Sequence, residues 1–189
     1  MSEKYFPLTK KDLEGLAALY PTPFYLYDEK AIRENARAFN EAFQSRFPTF
    51  REYFAVKACP NPYILKILAA EGLGADCSSL PELILAEKAG ITGEKIMFTS
   101  NETPEREYVY ANLKDAIINL DDITHIDYLE KALGALPELI CFRYNPGPLK
   151  GGNALIGKPE EAKYGLTRPQ ILEAYAEAKK RGSKRFGLH

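Results

Sequence analysis

The apolar residues of this chain fall into two spacings that take turns. The run at 53–56, aromatic and β-branched, predicts a buried strand; alternation puts Phe54 and Val56 on one face and Tyr53, Ala55 and Lys57 on the other. Apolar runs at 74–79, 95–100, 116–121, 138–144 and 185–189 predict five more strands. Between them, helical spacing predicts helices over 63–70, 81–89, 104–112, 123–133 and 169–180, the first two stopped by Gly72 and Gly90. Upstream, the pattern predicts a short helix at 10–19, a short strand at 24–27, and a helix at 29–46 capped by Asp28, with Ile32, Ala36, Phe39 and Phe43 at helical spacing.

Strands that alternate with helices after residue 50 make an α/β fold with a parallel sheet. An open doubly wound sheet and a (β/α)8 TIM-type barrel both fit that order. The polar residues at the strand ends favour the barrel. Lys57, Asp76, Ser78, Ser79, Ser100, Asn101, Asp121, Asp122, Arg143, Asn145 and His189 all fall at C-terminal ends, which converge on one mouth in a barrel. In an open sheet only the strands at the switch point meet there. Six strands leave a barrel two short, so an incomplete barrel of about six of eight strands is expected, with an arm at 1–23 and the barrel at 24–189.

Bulk properties narrow the function classes. The chain has 189 residues, 46% hydrophobic and 27% charged, enough for one domain with a real core. A formal net charge of -1 argues against a nucleic-acid surface. The 3 cysteines, Cys59, Cys77 and Cys141, have neither zinc-site spacing nor an even count and fit free thiols in a reducing compartment. The start lacks the apolar core of a signal peptide, and no stretch reaches the length of a membrane span. A cytoplasmic location is expected, with no membrane partner and no metal.

Lys57 carries the most distinctive chemistry. A lysine at the end of a buried parallel strand is costly, and desolvation would favour its neutral amine, the form that Schiff-base chemistry needs. The plain alternative is a lysine that leaves a strand to reach water. A segment at 152–158 imitates the start of a nucleotide phosphate loop, but Pro159 stands where a Ser or Thr would hold magnesium, and a polar run follows where an apolar helix should begin.

Several motifs recur together. Phe54-Ala-Val-Lys-Ala58, Gly74-Ala-Asp-Cys-Ser-Ser79 with Glu82, Phe142-Arg-Tyr-Asn-Pro-Gly147, Lys163-Tyr-Gly-Leu166 and Gly187-Leu-His189 stand in the order and spacing of one family. The chain resembles the pyridoxal-phosphate decarboxylases of fold type III, with an alanine-racemase-like barrel. Within these it is most similar to the diaminopimelate decarboxylases, a branch that Thr22-Pro-Phe-Tyr-Leu-Tyr-Asp28 also matches.

The resemblance implies a pyridoxal 5'-phosphate cofactor, with Lys57 as its Schiff-base lysine and His189 stacked on the pyridine ring. It implies that Asp76 lies close to Lys57 and tunes its charge. It implies that Glu82, one helical turn on, faces the same site, and that Arg143 reaches the ring's polar edge. The segment 145–165 would be a mobile cover over the site. The implied reaction is decarboxylation of a small-molecule amino acid, foremost meso-diaminopimelate to L-lysine in lysine biosynthesis, by a full-length homodimer. Related decarboxylases of D-lysine, D-ornithine or carboxynorspermidine are the alternative, and a non-catalytic cofactor-binding barrel or an inactive fragment is another. The last two barrel strands, the phosphate-gripping loop, the acidic partner of the pyridine nitrogen and the C-terminal β-domain fall outside the sequence. The polypeptide alone is therefore expected to hold the cofactor poorly and to be inactive.

Overall fold

A computed structural model describes residues 7–147 and 164–189. After helices α1 (Lys10–Leu19) and α2 (Glu29–Gln44), strands and helices alternate: β1 (Tyr53–Ala55), α3 (Pro62–Ala70), β2 (Gly74–Cys77), α4 (Leu80–Lys88), β3 (Ile96–Thr99), α5 (Glu105–Leu113), β4 (Ile117–Leu120), α6 (His125–Leu133), β5 (Leu139–Phe142), α7 (Arg168–Lys180) and β6 (Arg185–Leu188). The strands form one parallel sheet in the order β1-β2-β3-β4-β5-β6. An order that never reverses has no switch point, which rules out the doubly wound sheet and gives successive right-side neighbours of a barrel wall.

The sheet is two-faced. Val56, Ala75, Cys77, Ile96, Phe98, Ile118, Leu120, Ile140 and Phe142 pack outward against Leu65, Leu83, Tyr108, Ile126, Leu129 and Ile171 in one core. Each large side chain buried there contributes roughly 1.5–3 kcal/mol. Register puts Ala55 beside Asp76, Asp76 beside Met97, Thr99 beside Asn119, Asn119 beside Cys141, and Cys141 beside Gly187 on the opposite, inner face. That face is concave. Arg185 on β6 makes an ion pair with Glu94, just before β3, although strands three apart in a flat sheet are separated by about 14 Å.

Three expectations are corrected. The segment 24–27 is no strand: it pairs with none among the described residues and is exposed, with Tyr25 at 91%. Aromatic β-propensity does not make a strand where no neighbour accepts its hydrogen bonds. The first barrel strand ends at Ala55, and Val56–Ala58 turn into a 3-10 helix before Pro60 and Pro62. Finally, β1 is half-buried rather than buried, because it is an edge of this sheet. The phosphate-loop imitation and most of the 145–165 segment lie outside the described residues.

Helix α2 docks on α3 through Ala36, Ile64, Leu68 and Leu73. Glu71, just past α3, receives Arg37 at 2.6 Å and Arg33 at 2.8 Å, and these guanidiniums hold its carboxyl down at about 2. By contrast α1 buries no residue; its N-terminus is closed by a Thr9–Asp12 capping box. No described helix is long and apolar enough to cross a membrane.

Candidate active site

Each of the sequence-selected residues except Glu82 lies on the inner face or its C-terminal rim. Lys57 sits in the 3-10 turn that leaves β1 and is exposed, contrary to the expected burial at a strand end. The early end of β1 is the physical reason, since it carries the side chain past the wall of the sheet. Asp76 lies on β2, next in register to Ala55. Burial pushes its carboxyl up, while the neighbouring Thr99 hydroxyl, His189 and Lys57 pull it down and Glu82 adds to the rise. Asp76 is thus within electrostatic reach of both Lys57 and His189.

His189 prolongs β6. Its N–H donates to the Phe142 carbonyl at 2.9 Å, and its carbonyl accepts from the Tyr144 N–H at 2.8 Å. The imidazole turns inward, with Nδ1 at 3.3 Å from Asn119 Nδ2 on β4. Two small residues make room on the strands between and below: a Cβ on Gly187 would meet Cys141 Sγ at 2.9 Å. Arg143 follows β5 at the same level as His189, and its guanidinium lies 5.8 Å from the centre of the Tyr164 ring. Of the motif Lys163-Tyr-Gly-Leu166, Leu166 is buried and pairs beside Tyr144, bringing the far end of the 145–165 segment back to the rim.

Glu82 is occupied differently from its expected role. Its carboxylate accepts from the Ser78 N–H at 2.8 Å and from the hydroxyls of Ser78 and Ser79 at 2.9 and 3.2 Å. It therefore fastens the β2–α4 turn at the start of a helix, where a negative charge is favoured, and touches the site only through its field on Asp76.

Two groups were missed by reading polar residues only at strand ends. Asn119 is 1% exposed in the middle of β4, and alternation against Ile118 and Leu120 was the available signal. The other group is His125, whose Nδ1 lies 3.2 Å from Oδ1 of buried Asp121; that contact pushes the imidazole up. Asn101 donates to the second Asp121 oxygen at 2.5 Å.

The inner face has polar capacity left over. Asn119 Oδ1 is buried with no hydrogen-bond partner among the described residues, a costly condition unless something polar occupies the wall; beside it the Thr99 hydroxyl interacts with Asp76. An amine at Lys57, an inward-turned imidazole at His189 and the polar side chains of the inner face fit a flat, polar-edged aldehyde such as pyridoxal phosphate. Cys59, Cys77 and Cys141 are free thiols, and burial raises both Cys77 and Cys141 to about 12.

Comparison with known proteins agrees with this geometry. Residues 29–188 match the family described as pyridoxal-dependent decarboxylase, pyridoxal binding domain. Protein TabA of Pseudomonas amygdali pv. tabaci is 41% identical over 188 residues, covering 100% of this chain and 42% of that protein. The diaminopimelate decarboxylase of Thermoplasma acidophilum is 30% identical over 180 residues, covering 94% of this chain and 42% of that protein. The crystal structure of the Helicobacter pylori diaminopimelate decarboxylase complexed with L-lysine superimposes with a TM-score of 0.82 at 30% identity, covering 94% of this chain and 44% of that one. The chain spans less than half the length of these relatives, so its six strands correspond to an N-terminal portion of a type III barrel. With its sheet order, the lysine at the rim after β1 and the family match, the chain belongs to the pyridoxal-phosphate-dependent decarboxylases.

Proposed function

We propose that this chain forms the lysine-bearing part, residues 24–189, of an amino-acid decarboxylase whose substrate is meso-diaminopimelate and whose products are L-lysine and CO2. The observation that carries the reading is the meeting of Lys57, Asp76 and His189 at one rim of the concave face. Similarity to several diaminopimelate decarboxylases supports the substrate.

Each residue has a role in this reading. Lys57 holds the cofactor through its ε-amine, in a turn that leaves the amine accessible. Asp76, whose carboxyl burial pushes up while Thr99, His189 and Lys57 pull it down, sets the local charge beside Lys57. His189 would cover one face of the cofactor ring and keep water from it, and Arg143, held against Tyr164, would order the polar edge. Glu82 keeps the β2–α4 turn in shape and so positions Asp76. The cofactor, when bound, supplies the electron sink for the pair left by CO2 loss. A full-length homodimer in the cytoplasm completes the reading, and the three free thiols fit a reducing compartment.

A second reading keeps the chemistry and changes the amino acid. It rests on Protein TabA, 41% identical against 30% for the Thermoplasma enzyme, not carrying the name of a diaminopimelate decarboxylase. Release of CO2 by the full-length protein separates the two. Meso-diaminopimelate is expected to be turned over at least about tenfold faster than lysine or ornithine, which corresponds to about 1.4 kcal/mol of transition-state discrimination. Faster release from another amino acid would replace the proposed substrate and leave the roles of Lys57 and Asp76 standing.

A further inference from the structure

Asn119 has no task in the reading above, and its position is expensive. It is 1% exposed on β4 between Ile118 and Leu120, both fully buried on the outer side. A buried amide left without partners costs more than its hydrogen bonds return. Among the described residues, its polar side-chain contact is Nδ2 to His189 Nδ1 at 3.3 Å. This contact runs diagonally across β5, over Cys141 and beside bare Gly187.

We infer that Asn119 is the positioning residue that fixes the tautomer and tilt of His189. An amide N–H is a donor only, so the ring nitrogen facing it must offer a lone pair. Nδ1 is therefore unprotonated and the proton sits on Nε2. The ring is held in one orientation and presents Nε2–H away from β4. Without Asn119 the imidazole is free to rotate about its Cβ–Cγ bond, and both nitrogens compete for the proton. The unpartnered Asn119 Oδ1, next to Thr99 in register, then faces the same concave space. It serves as an acceptor for a polar group bound there. The meaning of the tilt for catalysis rests on the reading that His189 covers the cofactor ring; the tautomer itself does not.

The test uses the full-length protein without cofactor, labelled with nitrogen-15 at histidine, and reads the His189 ring nitrogens by long-range nitrogen–proton correlation. Wild type is expected to show Nδ1 as the unprotonated nitrogen. Asn119→Ala should lower the ratio of Nε2–H to Nδ1–H by about fivefold, the effect of losing one neutral hydrogen bond. Asn119→Asp, nearly isosteric and an acceptor, should put a proton on Nδ1. An unchanged amide fingerprint in the aspartate variant shows that the fold is retained, should the alanine variant fail to fold. A proton on Nδ1 in wild type, or a ratio unmoved in a folded variant, would overturn the assignment. Failure to attach cofactor at Lys57 would instead sink the functional reading while leaving the tautomer result intact.

Discussion

Replacing Lys57 by alanine lowers decarboxylation by the full-length protein on the order of 10³-fold or more, because both the covalent hold on the cofactor and the amine that exchanges protons are lost. The loss is chemical rather than structural. Lys57 is exposed in a 3-10 turn, and its side chain packs into neither core cluster. Exposed substitutions of this kind change stability by about 0.5 kcal/mol or less, so the thermal midpoint should stay put. Lys57→Arg is expected to be equally inactive, since a guanidinium keeps the charge but does not release a nucleophilic nitrogen. Steady-state rates with an unfolding curve on the same samples check the result, and activity within tenfold of wild type in the alanine variant would remove Lys57 from the chemistry.

The second large effect is on the fold. Phe98 is 0% exposed on the outer face of β3, with its ring edge-on to Tyr108 at 6.2 Å and 89°. Phe98→Ala should cost about 3–5 kcal/mol, the transfer energy of the ring plus the cavity it leaves. That is a large share of the 5–15 kcal/mol typical of a domain. Met97, one residue earlier, points to the inner face and is only half-buried; Met97→Ala should cost markedly less. Denaturant midpoints of the two variants measure the difference. Equal costs would mean that the two faces of β3 have been assigned wrongly.

Much of this arrangement can be read from residues alone, and the misses share a cause. Runs such as Ile117–Leu120 and Leu139–Phe142 announce strands because burial on two sides demands apolar side chains wherever the sheet is interior. At the edge this demand relaxes. The β1 segment therefore looks like a deep strand and ends early, and residues 24–27 look like a strand and find no neighbour. Lys57, Asp76, Arg143 and His189 stand at strand ends in the sequence, and the structure brings those ends to one rim because strand ends converge in a barrel. Glu82 lies where helical spacing puts it, but its carboxylate is claimed by the local serines of its own turn, a competition that spacing does not reveal. Asn119 was overlooked because it interrupts an apolar run, where a polar residue is easily passed over, although its face was fixed by alternation.

Reductive trapping measures the central claim most directly. The full-length protein is mixed with pyridoxal phosphate, reduced with borohydride and digested, and the modified peptide is identified by mass. The account predicts a single stable adduct on Lys57, in the peptide that joins β1 to α3. An adduct confined to other lysines, or none at all, would contradict it.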